Sequence, residues 1–175
     1  MSWHAVRAAC LGLAAGGLAA CASQSPVAST APPLTTATPV AMVATIRAAG
    51  ELGEELAVQP LRDPMVEDLR EQASTLQKEQ RFAEAAAALD QAMALVGDDP
   101  ALMQERAEAA VLLGEFRQAG ELAWRAWQLG ARVGPLCRRH WETLHQVRLV
   151  EGDAPGAHSA EVQRDACTVA DPARY

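Results

Sequence analysis

The sequence predicts an all-α fold of antiparallel helix pairs, about three of them, behind a leading N-terminal helix. Three observations predict it. Of 175 residues, 38 are alanine and only seven are aromatic. Alanine has the best helix propensity and lets helix axes approach, whereas a β-sandwich needs branched and aromatic side chains on its pleated faces. Residues then recur with a period of 34, and proline and glycine punctuate the chain at matching places. The length allows one compact domain with extras. Fifteen Lys+Arg against 22 Asp+Glu give a net charge of −7 with no basic block. That excludes nucleic acid as a natural ligand, because such binding rests on phosphate neutralisation.

Residues 1–20 read as a secretory signal. A short basic start (His4, Arg7) precedes an uncharged run over residues 8–20, too short for a helix to cross the ~30 Å hydrocarbon core. The run ends in Leu18-Ala19-Ala20-Cys21, then Ala22-Ser23. This resembles the lipobox of bacterial lipoproteins, in which the chain is cut before the cysteine and Cys21 carries the lipid. Multiple acyl chains, at about 0.8 kcal/mol per buried CH₂, hold such proteins to a bilayer without a transmembrane helix. Alanine follows Cys21 where an aspartate often signals inner-membrane retention, so the resemblance implies the periplasmic face of a Gram-negative outer membrane. Residues 21–39 follow as the lipidated cysteine and a tether. From 22 to 39 there is no charge, and prolines stand at 26, 32, 33 and 39. Such a segment buries too little apolar area to offset its ordering entropy. Fully extended, its 18 residues reach ~60 Å.

The leading helix is expected over residues 40–59, with Val43, Ile46, Leu52 and Leu56 on one stripe. Gly50 and Gly53 weaken it and Pro60 ends it. The repeats occupy residues 60–168, and 169–175 form a tail. Phe82 recurs as Phe116, Ala73 as Ala107, Ala85 as Ala119, Ala92 as Ala126 and Leu95 as Leu129; Ala123 takes the place of Leu89. Pro64, Pro100 and Pro135 each follow a capping or turn residue (Asp63, Asp99, Gly134), where proline suits the first helical position because its missing N–H is not needed there. Turns fall at Glu79-Gln80-Arg81, Gly114-Glu115 and Gly152-Asp153-Ala154-Pro155, and Gly97 and Gly130 mark helix ends. The helices are therefore expected near 64–79 and 82–96, 100–113 and 117–130, and 135–150 and 155–168.

Gly114-x-Phe116-x-x-Ala119, with Ala123, Ala126 and Leu129, resembles the tetratricopeptide (TPR) pattern, whose unit is 34 residues. The resemblance runs from about Pro64 to Cys167. It is good in two units and weaker in the third, which keeps Trp141, Leu144, Gly152 and Ala157 but lacks an aromatic at its turn and is displaced by 38 residues.

Four cysteines are present. Cys10 is expected to leave with the signal and Cys21 to be acylated, which leaves Cys137 and Cys167. Cys137 opens the first helix of the last pair and Cys167 closes the second, and in an antiparallel hairpin those ends meet. An exported compartment permits oxidation. A Cys137–Cys167 bridge would close a loop of about 30 residues, stabilising by roughly 3–4 kcal/mol in the loop-entropy model; the alternative is two separate buried thiols.

No catalytic constellation is apparent. His140 and His145 stand five apart, about 140° around a helix, so they do not form a zinc-ligating pair. They read as solvated or capping residues, with His158 the third histidine of the mature chain. There is no Gly-x-Ser-x-Gly, no phosphate-cradling glycine loop and no Cys-x-x-Cys. No enzyme, metal or cofactor is expected.

What remains is a surface. The TPR resemblance implies that the first helix of each pair lines a concave face. Here that face carries Arg70, Ser74, Gln77 and Lys78, then Gln104, Glu108 and Val111, then Arg139, Glu142 and Gln146. The set is polar and mixed in sign, suited to an extended peptide or a partner's helix. Arg132, Arg138 and Arg139 make a modest basic patch. Trp127 and Trp141 read as core. Trp124 faces outward as a binding hot spot, or lies partly covered by Arg125 or Arg132. A lipobox, a low-complexity tether and a short TPR-like domain together resemble the outer-membrane lipoproteins that activate a class A penicillin-binding protein, a peptidoglycan synthase. They also resemble the TPR lipoproteins that assist secretin assembly in type IV pili, which usually have more repeats. A structural envelope lipoprotein is the third alternative.

Overall fold

A computed structural model describes residues 31–52 and 63–168. The expected signal, Cys21, the first part of the tether, residues 53–59 of the leading helix and the tail lie outside the described residues. Those described form helices and turns only: α1 (Pro39–Gly50), α2 (Pro64–Lys78), α3 (Phe82–Val96), α4 (Pro100–Leu113), α5 (Phe116–Leu129), α6 (Gly134–Val150) and α7 (Ala154–Ala166).

The helix starts are set by local chemistry. Asp63 accepts from the Met65 N–H, Asp99 from those of Ala101 and Leu102, and Asp153 from that of Gly156, with proline in the first turn each time. Each satisfies a donor that the helix itself leaves unpaired. The turns inside the pairs also repeat. Gln80, Gly114 and Gly152 all take left-handed backbone, at φ of 59°, 75° and 73°. The next residue's N–H reaches back five positions each time, Arg81 to Leu76, Glu115 to Ala110 and Asp153 to Arg148. This is the Schellman closure, for which glycine is best suited.

The six repeat helices pair as α2–α3, α4–α5 and α6–α7, with α3 against α4 and α5 against α6. Consecutive packing of this kind is that of a helix-pair solenoid. Alanine permits the close approach: Ala85, Ala88, Ala92, Ala107, Ala109, Ala119, Ala123, Ala126, Ala157 and Ala160 are all buried in the seams. Further, α4 packs directly on α6, while α5 and α7 make no comparable contact. α4 and α6 thus lie on the tighter, inner side of the curve. Cys137 and Cys167 are disulfide-bonded with Cα atoms 5.8 Å apart, and the Gly134 N–H donates to the Cys167 carbonyl at 2.7 Å. The last hairpin is closed at its open end.

Two expectations are corrected. The leading helix stops at Gly50 and does not continue through Leu52: its last turn tightens, with the Glu51 N–H on the Ala48 carbonyl, and position 50 is held to glycine because a Cβ there would sit 2.8 Å from the Arg139 Cδ. The tether is not free over its whole length. Residues 31–38 run along the far end of α6, where the Leu34 N–H donates to the Leu149 carbonyl at 2.7 Å, and Ala31 and Pro32 lie so close to Gly152 that a Cβ there would clash at 2.7 Å.

Gln80 holds with a side chain the conformation that Gly114 and Gly152 hold without one. The αL penalty, less the extra backbone entropy of glycine, predicts that Gln80→Gly stabilises the protein by about 0.5–1 kcal/mol. Thermal denaturation checks this; an unchanged or lower Tm contradicts it.

Candidate functional site

The inner face of α4 and α6 is occupied by the chain's own first helix. α1 packs on both, burying Met42, Val43, Ile46 and Ala49, the first three against Ala110, Val111 and Val147. Ile46 is 0% exposed. Burial of a side chain of this size contributes about 1.5–3 kcal/mol, so α1 is a structural part of the solenoid. Its C-terminal end is held by Arg138, which is buried and donates to the carbonyls of Ala49 (3.0 Å) and Leu52.

Beneath α1 lies a buried polar network centred on Glu108, itself 0% exposed. Arg47 of α1 donates through Nε to Glu108 Oε2 at 2.8 Å and through Nη2 to Gln77 Oε1 at 2.6 Å. Arg139 of α6 donates to Glu108 Oε1 through Nε at 3.0 Å and through Nη2. Gln104 Nε2 donates to the same oxygen at 3.0 Å and to Thr143 Oγ1 at 2.8 Å, and Thr143 donates to the Arg139 carbonyl. Gln104 Oε1 is left as an acceptor, which assigns the proton of His140 to Nδ1, 2.7 Å away. His140 Nε2 has no partner among the described residues. Burial, and secondarily the charge of Arg139, lower the His140 pKa to about 3. The expectation of a solvated His140 is therefore wrong: it is a neutral core residue. His145 donates to the Ala157 carbonyl at 2.9 Å, and the exposed His158 lies beside Glu161.

The ten predicted inner-face residues separate into three groups. Gln104, Glu108, Val111, Glu142 and Gln146 are buried, and so are not a partner surface as expected. The first two belong to the network, Val111 lies under α1, and Glu142 takes hydrogen bonds from Gln146 and Arg164 of α7. Arg139 and Gln77 are half-buried at the edge of α1. Arg70, Ser74 and Lys78 remain on α2; Arg70 is spent on Glu67 and Glu105, and Lys78 is exposed. An open groove of about 880 Å³ survives between α1 and α2, lined in part by Arg70, Ser74 and Gln77. The α1 residue Arg47, and Asp68 and Glu71 on α2, belong to this face but were not predicted. For α4 the sequence does carry a signal: Leu102, Met103, Ala107, Ala109, Ala110 and Val111 point all round the helix, as in one covered on every side.

The basic patch is also corrected. Arg138 and Arg139 turn inward to α1 and Glu108, and only Arg132 stays outside, its Cζ 3.8 Å from the Trp127 ring centre. Trp124 is 43% exposed, stacked on Trp127 with centroids 4.8 Å apart and edge-on to Trp141 at 5.9 Å. Trp127 and Trp141 are half-buried; Trp141 packs against the core cluster of Ala107, Ala123, Leu144 and Ala160, as expected, and Trp127 lies in the triad at its edge. Arg132 covers Trp127, so Trp124 keeps its outward surface.

Among the described residues no group of His, Cys, Asp and Glu is placed to hold a metal ion. No family model and no curated protein matches the chain.

Two predictions follow from the network. Glu108→Ala leaves two arginines and Gln104 without their carboxylate, and should cost about 3 kcal/mol in urea unfolding, more than Arg47→Ala, whose side chain is half-exposed; a cost under about 0.5 kcal/mol contradicts the network. His140 is harder to protonate folded than unfolded. Its contribution is therefore complete above about pH 6.5 and is lost as pH falls from there toward 3, by up to about 1.4 kcal/mol per unit. His140→Gln should flatten stability between pH 6.5 and 5; an unaltered slope shows that other groups set it.

Proposed function

We propose that the protein is a lipoprotein of the outer membrane, anchored through Cys21, whose solenoid recognises another protein of the cell envelope. The observation that carries this reading is that the inner face of α4 and α6 already holds a helix, through buried Met42, Val43 and Ile46 and the Arg47–Glu108 ion pair. Among the described residues a second stretch of this face, beside α2, forms a groove lined by Arg70, Ser74 and Gln77. The outward Trp124 adds a large, rigid side chain of the kind enriched in binding hot spots.

The partner proposed is a class A penicillin-binding protein, a peptidoglycan synthase that this lipoprotein stimulates. The layout of lipobox, tether and three helix pairs supports it, and the small number of pairs favours it over secretin assembly. The proposed role is recognition and not turnover.

Affinity capture from envelope extracts with the full chain tests the reading. Retention of the synthase is the expected result, followed by a rise in its glycan-polymerising rate on adding the purified chain. Recovery of a secretin without the synthase overturns the choice of partner. Cys21→Ala should move the protein from the membrane to the soluble fraction, and its persistence in membranes overturns the anchor.

A further inference from the structure

The outer side of the array carries a second groove, of about 660 Å³, between α5 and α7 and over α6. These helices and the turns joining them all lie within the described residues. Buried Leu144, Val147 and Ala160 line it, together with half-buried Trp141 and exposed Trp124. The charged side chains around it are spent on one another. Arg117 donates to Glu121 at 2.8 Å and Arg148 to Glu151 at 3.1 Å, with Asp153 3.7 Å from Arg148. The groove is thus apolar within and neutralised at its rim.

Two further features point to a ligand. The indole N–H groups of Trp124 and Trp141 make no hydrogen bond with any described residue, and that of Trp141 is not sealed from solvent. A tryptophan N–H usually has a partner once its ring is covered, so both donors are left for whatever covers these rings. Gly120 is the second feature. It lies inside α5 on ordinary helical backbone, where glycine weakens a helix relative to alanine. A Cβ there would meet only Val147, at an ordinary 3.5 Å. Neither backbone nor packing calls for glycine at 120, and its missing side chain deepens the groove.

Aromatic faces, free N–H donors and a rim with no unpaired charge together match one kind of segment. A polyproline II strand makes no hydrogen bonds of its own, so its carbonyls accept from outside, and its proline rings pack on aromatic faces. We infer that the α5–α7 groove seats an uncharged, proline-rich segment of the partner protein, its rings on Trp124 and its carbonyls on the Trp124 and Trp141 N–H groups. The inference rests on the protein-recognition reading and specifies the chemistry of the partner.

The test is titration of the full chain with an uncharged peptide of Pro-Pro-Ala repeats about nine residues long, followed by tryptophan fluorescence and by the indole N–H signals. The expected result is saturable binding that moves the Trp124 and Trp141 signals. Trp124→Ala and, separately, Gly120→Leu should each weaken it at least about tenfold, while Val162→Ala, exposed on α7 outside the groove, should change it less than about twofold. Circular dichroism like that of wild type confirms that each variant is folded, and the two act from different sides of the groove. No saturation, equal binding of a glycine–serine peptide, or equal weakening by Val162→Ala overturns the inference. Binding of an N-acetylglucosamine trisaccharide as tight as that of the peptide makes the groove a sugar site and also overturns it. So do indole signals that move on Pro26→Ala before any peptide is added, since the chain's own segment then fills the groove. An envelope partner captured equally well by wild type and Trp124→Ala overturns the seat, yet leaves the recognition reading standing. Peptide binding as expected with no envelope partner captured supports the seat and counts against that reading alone.

Discussion

A carboxylate without solvent is the constraint on which the inner face depends. Glu108 sits at the middle of α4, fully buried, where an unpaired charge costs several kcal/mol. Its two oxygens are met by Arg47 from α1, Arg139 from α6 and Gln104 from its own helix. Each donor fixes an element. Arg139 sets the spacing of α6 from α4, and Arg47 sets the position of α1. Gln104 in turn fixes Thr143 and the His140 tautomer. Apolar burial of Met42, Val43 and Ile46 supplies the attraction that seats α1, but it is indifferent to small slides along the face. The ion pairs are not, and they select one register.

Such a network tolerates little free volume, which gives the alanines their role. Small side chains in the α3–α4 and α5–α6 seams let consecutive pairs approach, so that α4 and α6 come within contact of each other. With larger residues at Ala107, Ala119 or Ala123 the first helices would separate and the Gln104–Thr143 hydrogen bond would open. In the last described pair a covalent link adds to packing: Cys137–Cys167 ties the start of α6 to the end of α7.

The helices were legible in the sequence because their boundaries are local events. Asp-Pro starts and left-handed turns need only a few neighbouring residues to act, and six boundary pairs fall within about two residues of expectation. The disulfide was legible for a related reason, since a hairpin of two similar arms brings its ends together. The place of α1 was not. Its apolar stripe demands cover but does not name it, and the covering face reads as solvent because Gln104, Glu108, Glu142 and Gln146 are polar. Burial of polar residues is decided by what lies on top of them. The histidine at 140 is the sharpest instance: nothing within its helix separates a solvated imidazole from a buried one, and the difference comes from Gln104, 36 residues away. The Trp triad was half legible: Trp124 and Trp127 stand three apart on α5 and meet within that helix, whereas their contacts to Trp141 form only once α6 is in place.

Docking of the N-terminal segment changes what a tether can do in the proposed lipoprotein. Taken as free to residue 39, the tether spans ~60 Å from Cys21. With Leu34 held on α6 and Ala31 beside Gly152, the distance available from Cys21 to the domain is bounded by the residues between Cys21 and Ala31, about 35 Å at most. The point of attachment is also fixed, at the α6–α7 turn. The turns inside the pairs share that edge of the solenoid, so in the proposed lipoprotein the chain would leave for Cys21 from this edge. The opposite edge carries the disulfide, Arg132 and the C-terminal end of α1. The groove between α1 and α2 ends at that edge, beside Gly50, Pro100, Gly130 and Pro135.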